Sequence, residues 1–279
     1  MTLLLKLVLA PLLVVGSSLA GRRWGERLAG VLVAFPIVAG PILLITALEH
    51  GTRFGARAAS ASLLGLVSLA VFVVAFAYAG RRWNWLGSLT AAWAATVVAD
   101  VLLAQVTVGA AGGLLAVLVA VGIAHRLVAA LDQGVTAGAP AVAPWWDLPG
   151  RAAATAALVL TITGISTAVG PVVTGILAPF PIATSVVVAF VLAQQGPAAA
   201  VRTLAGVTRG LAGFAAFCFL LAILLVPAGI PWSFTAAVAG ALVVQLAWRQ
   251  RSPQARREVT DTIAADASGR KNRRSSGTG

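Results

Sequence analysis

Apolar runs of about 20 residues, nearly free of charge, follow one another along most of the chain. A helix needs about 20 such residues to cross the hydrocarbon core of a bilayer. Within the runs apolar residues are continuous rather than alternating, which favours helices over a transmembrane barrel. We predict an all-α membrane bundle of nine spans, at Leu3–Ala20, Leu28–Leu48, Ala58–Ala79, Leu86–Gln105, Gly109–Leu131, Ala152–Val169, Val172–Ala193, Thr203–Val226 and Trp232–Trp248.

The composition excludes most other kinds of protein. Charged residues are 10% of the 279 residues, whereas an ordinary soluble domain carries about 25%. A chain with so few charges cannot form the polar shell of a soluble enzyme of this size. The single cysteine, Cys218, lies in an apolar run and excludes a disulfide scaffold.

Basic residues give the expected orientation. The net charge is +12, and a dense group of arginines and lysines follows Ala247. Such residues are enriched in cytoplasmic loops, so we predict a cytoplasmic C-terminus, an outside N-terminus and a cytoplasmic Arg81–Arg82 turn. The richness in Ala, Val and Gly is typical of a GC-rich bacterial genome. For a helical membrane protein from a bacterium, we therefore predict the inner membrane. Arg53, Arg57 and Lys6 are exceptions, because the alternation of spans places them outside.

The basic tail suggests the partners of the protein beyond the lipid bilayer. We expect the tail to contact anionic lipid headgroups. Nucleic acid is not expected, because the tail also carries Glu258, Asp261 and Asp266. The sequence indicates no oligomeric state.

An internal repeat organises the chain. The Phe-Pro-Ile sequence of residues 35–37 recurs at residues 180–182, an offset of 145 residues that also pairs Gly51 with Gly196. Four spans return the chain to the face where it began, and one linking span then inverts the second copy. Inverted repeats are typical of secondary transporters. Other identical pairs at this offset are Arg57 and Arg202, Gly65 and Gly210, Leu66 and Leu211, and Phe72 and Phe217.

The repeat divides the chain into four parts. Residues 1–108 are the first four-span repeat, and residues 109–150 are the linking span with a cytoplasmic loop. Residues 151–248 are the second repeat. Residues 249–279 are a basic cytoplasmic tail that we expect to be disordered.

The runs LAGVLVAFPI (Leu28–Ile37) and GILAPFPI (Gly175–Ile182) resemble a stretch of the GlpM-type small integral membrane proteins. The shared pattern is Gly-x-x-x-x-Phe-Pro. Members of that family are units of roughly four spans. The resemblance implies that this chain is a fused, duplicated version of such a unit, and it implies no biochemical activity.

Asp100 is the most informative single residue, because it lies inside the fourth predicted span. A carboxylate within a bilayer is costly and usually faces protein or a cavity. Asp100 is a candidate proton or cation site, or else a carboxylate at the outer end that pairs with Arg53 or Arg57. With two extra residues, its position in the second copy falls near Ala247, which suggests that the repeat has not retained it.

Two prolines mark the second and seventh predicted spans. Pro36 and Pro181 each remove a backbone donor and leave a carbonyl for other groups. Broken helices of this kind form ion or substrate sites in transporters. The same prolines also fit simple kinks that allow the helices to pack.

Polar residues at span ends are further candidates for a pathway. Glu49 and His50 end the second span, and Arg57 and Arg202 begin the third and eighth spans. They fit either gating and headgroup contacts or ordinary helix ends and snorkelling anchors.

The sequence carries no nucleotide-binding loop and no hydrolase motif. With two histidines and one cysteine, it indicates no metal site and no cofactor, and we expect no enzyme activity. We predict a secondary transporter or permease, with a non-transporting scaffold or accessory subunit as the alternative. A transporter should gather its polar residues on one cavity, whereas a scaffold should disperse them. The residues in question are Asp100, Thr46, Thr90, Thr96, Thr184 and Ser185.

Overall fold

A computed structural model of the protein contains only helices among its assigned regular elements. The structure describes residues 2–34, 36, 39–106, 108–132, 144–169 and 181–250. The helices are α1 (Thr2–Trp24), α2 (Glu26–Val33), α3 (Ala39–His50), α4 (Thr52–Ala79), α5 (Trp85–Leu103), α6 (Ala110–Asp132), α7 (Asp147–Val169) and α8 (Ile182–Gln250).

Helix α8 is three helical segments joined at two glycines. Gly196 and Gly229 have φ values of 84° and 74° and break the helical backbone. The Gln245 amide donates a hydrogen bond of 3.2 Å to the Gly210 carbonyl, 35 residues earlier, whereas a straight helix would separate these residues by about 50 Å. The segment 230–250 therefore folds back along the segment 197–228.

Membrane-spanning character is confirmed for part of the fold. Helices α4, α5, α6 and α8 are long and apolar enough to cross a bilayer. Several of their large apolar side chains are exposed and available to lipid, among them Val98, Leu102, Leu115, Val119, Val243 and Leu246.

The predicted span Leu28–Leu48 is wrong as a single helix. Helix α2 ends at Val33, and α3 begins at Ala39. Pro36 lies between them, where its missing N–H and its ring disfavour a continuous helix. The Pro36 carbonyl instead accepts a hydrogen bond of 2.8 Å from the Gly40 N–H at the start of α3.

The core lies around α4, which packs on α5, α6 and α8. Phe72 and Phe76 of α4 and Phe217 of α8 are almost wholly buried there. Helix α2 crosses α8 closely, because Gly206 lies directly against the Arg27 backbone. Small residues allow such close backbone approach between membrane helices.

Several predicted features lie outside the described residues. They are the tail from residue 251 onward, residues 133–143 of the loop after α6, and residues 170–180 at the start of the seventh predicted span.

Candidate functional site

Asp100 lies on the inner face of α5, toward α4. Its side chain is buried, with the residue 7% exposed, and the Ser68 hydroxyl of α4 is a polar group that interacts with it. Neither Asp100 Oδ2 nor Ser68 Oγ makes a hydrogen bond of regular geometry within the described residues. Ser68 is the seventeenth residue of α4, so Asp100 lies level with the middle of that helix, although it is close to the end of α5.

Gln245 occupies the same relative place in the second half of the chain. It lies 145 residues after Asp100, and its amide packs on Gly213, which is 145 residues after Ser68. The Gln245 amide is satisfied by the Gly210 carbonyl. Counted at an offset of 145 residues without a gap, Asp100 corresponds to Gln245 rather than to Ala247, and both positions carry a polar side chain.

A second polar group lies where α1 ends and α7 begins. Asp147, at the first position of α7, accepts hydrogen bonds of 2.5 Å from Arg22, 2.9 Å from Arg151 and 2.6 Å from Gln194. The Asp147 and Arg151 side chains are only 1% and 3% exposed. This carboxylate ties together α1, α7 and α8.

Both members of the Asp147–Arg151 pair precede the apolar run of α7, which starts at Ala152. Burial opposes ionisation of Asp147, but the hydrogen bonds from Arg151, Arg22 and Gln194 outweigh burial and hold its pKa below the ordinary aspartate value. Burial lowers the pKa of Arg151, and its bond to Asp147 partly offsets this effect. The Arg151 guanidinium also lies 5.1 Å from the centre of the Phe190 ring, a cation–π contact.

Two more ion pairs lie at this end of the bundle. Arg27 contacts Asp132 at 2.5 Å, joining α2 to α6, and Arg202 contacts Glu26 at 3.4 Å, joining α8 to α2. We call this end the ion-pair cluster; its members are Arg22, Glu26, Arg27, Asp132, Asp147, Arg151, Gln194 and Arg202.

The opposite end, where α3 meets α4, carries no ion pair among the described residues. Glu49, His50 and Arg57 are exposed there, and His50 stacks on Phe54 with ring centres 5.0 Å apart. The expected pairing of Asp100 with Arg53 or Arg57 does not form, because Asp100 contacts the middle of α4 and both arginines lie in its first turns. Of the polar span-end candidates, Arg202 alone joins an ion pair with another residue that the structure describes.

The two prolines have different surroundings. Pro36 lines an apolar, partly open cavity of about 310 Å³. Pro181 precedes α8 and accepts a hydrogen bond of 2.8 Å from the Ser185 N–H. The Ser185 hydroxyl accepts a bond of 2.9 Å from the Trp93 indole. The other described residues lining the cavity at Pro36 are Gly40, Pro41, Leu44, Phe217, Phe234 and Val238.

Most of the candidate hydroxyls are turned back to their own helices. Thr46, Thr90 and Thr96 donate to carbonyls three or four residues earlier. Only Ser185 bonds to another helix, through Trp93. The described residues therefore do not gather these hydroxyls and Asp100 around one polar cavity.

Asp147 and Arg151 were not predicted to form a buried pair, because Asp147 was assigned to the loop within residues 109–150 and Arg151 precedes the sixth predicted span. Their spacing of four residues at the start of an apolar run was the available signal, since such a pair lies on one helix face. Gln194 directly follows the seventh predicted span, which ends at Ala193, and nothing in the sequence indicated its bond to Asp147. The bond of 3.0 Å between His125 and Thr208 also joins distant parts of the chain without a local signal.

No family model matches the chain, and no curated protein or solved structure is significantly similar to it. Within the described residues, no group of three acidic, histidine or cysteine side chains is arranged to hold a metal ion.

Proposed function

We propose that the protein is a secondary transporter or permease of a bacterial inner membrane, built from two inverted four-span repeats joined by α6. Its substrate is a small molecule of unknown identity. The observation that carries the proposal is that helix boundaries in the two halves of the chain recur at the same offset.

The helix boundaries repeat at an offset of 145 residues without a gap. Helix α5 begins directly after Asn84, and the break at Gly229 within α8 lies 145 residues after Asn84. The breaks at Gly51 and Gly196 keep the same offset, with φ values of 88° and 84°. Ser88 and Ser233, also 145 apart, are both fully buried and donate to the backbone four residues earlier.

Contacts of α6 support the inversion of the two copies. Gly113, near the start of α6, packs on Leu63 of α4. His125, near the end of α6, bonds to Thr208 of α8. Leu63 and Thr208 are equivalent at the offset of 145, yet they meet opposite ends of α6. Two copies related by an axis in the membrane plane would make these contacts.

The ion-pair cluster fits a closed gate on the cytoplasmic side. Basic residues favour the cytoplasm, and Arg22, Arg27 and Arg202 all belong to this end. The opposite end lacks ion pairs among the described residues, so the two ends are held unequally. This asymmetry is expected of a transporter captured with one gate closed. With the cluster on the cytoplasmic side, the N-terminus would lie outside and the C-terminus in the cytoplasm.

The chain would be a fused pair of GlpM-type units, as the resemblance of its two Phe-Pro stretches implies. The break between α2 and α3 at Pro36 falls on that stretch. The first unit would span residues 1–108 and the second residues 151–248, with 109–150 as the link.

Distances between spin labels test the proposal. One pair of cysteines replaces the exposed Trp24 and Trp83 at the cluster end, and another replaces the exposed Phe54 and Trp232 at the opposite end. Both pairs are placed in a Cys218→Ala background, with and without Arg22→Gln and Arg27→Gln. A transporter should lengthen the first distance and shorten the second when the cluster is weakened. Unchanged distances in both pairs, with the fold intact, would contradict the proposal.

The alternative function, a non-transporting scaffold or accessory subunit, is favoured by one observation. The candidate hydroxyls are dispersed and bond to their own helices. A scaffold would keep both label distances fixed and would be recovered from detergent with a stoichiometric protein partner.

A further inference from the structure

The Asp100 carboxyl lacks the partners that an ionised group in this position needs. The residue is more than nine-tenths buried, and its Oδ2 has no hydrogen-bond partner among the described residues. The neighbouring Ser68 hydroxyl is likewise buried without a regular hydrogen bond. An isolated carboxylate is very costly to bury, so this oxygen needs an additional ligand.

No cationic side chain within the described part of the chain supplies that ligand. The titratable side chains described on the helices packed against α5 are Arg53, Arg57 and Tyr78 on α4, and Arg202, Arg209 and Cys218 on α8. None of them forms an ion pair with Asp100. Ser68 is thus the polar side chain on α4 that the carboxyl meets.

The second repeat shows what a neutral group does at the same place. The Gln245 amide N–H donates to the Gly210 carbonyl, which is also part of the backbone ladder of its helix. A carbonyl has two lone pairs and can accept both bonds. Gly65 is the equivalent of Gly210 in the first repeat, so its carbonyl is the equivalent acceptor for a donor on Asp100.

The geometry points to Asp100 as a proton-binding site, with Ser68 and the Gly65 carbonyl as its partners. The proton adds to the carboxylate at Oδ2, which then becomes an O–H donor like the amide of Gln245, and no electron transfer is involved. Release returns the carboxylate, which the Ser68 hydroxyl stabilises as a hydrogen-bond donor. That this proton is the coupling ion rests on the proposed transport function; the binding site itself does not.

A metal cation is a poorer fit to the same place. It would need several oxygen ligands in place of its hydration shell. Helix α4 is continuous around Ser68, and the Asp100, Leu102 and Leu103 carbonyls at the end of α5 accept backbone hydrogen bonds, so few carbonyls are free to coordinate. A proton needs only one acceptor.

Carbodiimide labelling tests the site without any transport assay. Dicyclohexylcarbodiimide is apolar and reacts with protonated carboxyl groups within a bilayer, whereas a water-soluble carbodiimide reaches exposed carboxyls. The full-length protein in liposomes is treated with each reagent at pH 5 to 9, and the labelled residue is located by mass spectrometry. Exposed Glu49 is the internal control, and Asp100→Asn and Asp100→Glu are the variants.

The expected result is dicyclohexylcarbodiimide labelling on Asp100, falling about tenfold per pH unit above its midpoint and unaffected by 0.1–0.5 M NaCl. Glu49 should take the water-soluble reagent instead. Labelling should be lost in Asp100→Asn and retained in Asp100→Glu. Because the site is located in the wild-type protein, poor folding of a variant does not affect the result.

Absence of label on Asp100 across the pH range would overturn the proposal, and protection by NaCl would replace the proton with a sodium ion. If Asp100 is labelled but the spin-label distances stay fixed, the proton site stands and the transport function is refuted. If the distances change but Asp100 is not labelled, the transport function stands and the proton site is refuted.

Discussion

The Asp147 carboxylate, at the first residue of α7, accepts a hydrogen bond of 2.5 Å from Arg22, which lies 125 residues earlier at the end of α1. The same carboxylate also binds Arg151 on its own helix. The two arginines differ in environment, because the Arg22 side chain is 37% exposed and that of Arg151 is 3% exposed. Their contributions to stability should therefore differ.

Asp147→Asn should lower the free energy of unfolding by about 3–5 kcal/mol, because it leaves the buried Arg151 charge without its partner. Arg22→Gln should cost at most about 1 kcal/mol, since Arg22 is partly exposed and Arg151 still neutralises the carboxylate. Denaturant unfolding in detergent micelles measures both values. Equal losses in the two variants would contradict the assigned difference between the arginines.

The pH dependence of stability should follow from the lowered pKa of Asp147. The folded state favours the carboxylate, so its contribution is fully present above the unfolded pKa of about 3.9 and is lost as pH falls through the lower folded pKa. The melting temperature of the wild type should fall below about pH 4. In Asp147→Asn the melting temperature should decrease less over the same pH range. An equal decrease in both proteins would exclude Asp147 as the cause.

The apolar runs predicted the long helices well, because length and hydropathy are properties of contiguous residues. The helical breaks were harder to predict. Pro36 was interpreted as a kink within one span, yet the chain divides there into α2 and α3. Aligning Trp85 with Trp232 by identity adds two residues to the offset of 145. When the helix start after Asn84 is compared with the break at Gly229, the offset stays at 145 and Asp100 corresponds to Gln245.

The ion-pair cluster was out of reach of sequence reasoning for a different reason. Three of its bonds join residues more than 100 positions apart, such as the bond between Arg27 and Asp132. The distribution of basic residues predicts the side of the membrane on which a loop lies. It does not predict which acidic residue each arginine contacts. The pairing depends on how α2, α6 and α8 pack, and apolar composition does not specify that packing.

Gly196→Ala should destabilise the protein by about 1–3 kcal/mol, because the φ of 84° and extended ψ at this corner suit only glycine. Gly122→Ala is the matched control: Gly122 lies within α6, and an added Cβ meets nothing within 4 Å. That variant should be unchanged or more stable by up to about 1 kcal/mol. Thermal unfolding in detergent compares the melting temperatures of the two variants. Equal melting temperatures would argue against a sharp break at Gly196.

Cysteine labelling from the two sides of the membrane should follow the proposed orientation. In a Cys218→Ala background, Trp232→Cys should react with an impermeant maleimide added to whole cells, because Trp232 is exposed at the end opposite the ion-pair cluster. Ser252→Cys should react only after the cells are opened, since the basic tail is expected in the cytoplasm. Labelling of Ser252→Cys on intact cells would reverse the orientation.

Replacement of glycine by alanine should have different effects at two buried positions, Gly206 in α8 and Gly40 in α3. Gly206 faces the Arg27 backbone so closely that an added Cβ would overlap the carbonyl, so Gly206→Ala must separate α2 from α8. We expect a loss of about 1–3 kcal/mol, in the range for overpacked cores. In Gly40→Ala the new Cβ lies 3.5 Å from Phe217 Cζ, an ordinary contact beside the cavity at Pro36. There alanine should leave stability unchanged or raise it by up to about 0.5 kcal/mol, because its better helix propensity is opposed by the contact of its Cβ with the ring of the following Pro41. Unfolding of both variants in the same detergent measures the contrast, and a stable Gly206→Ala protein would show that α2 and α8 are not in close contact.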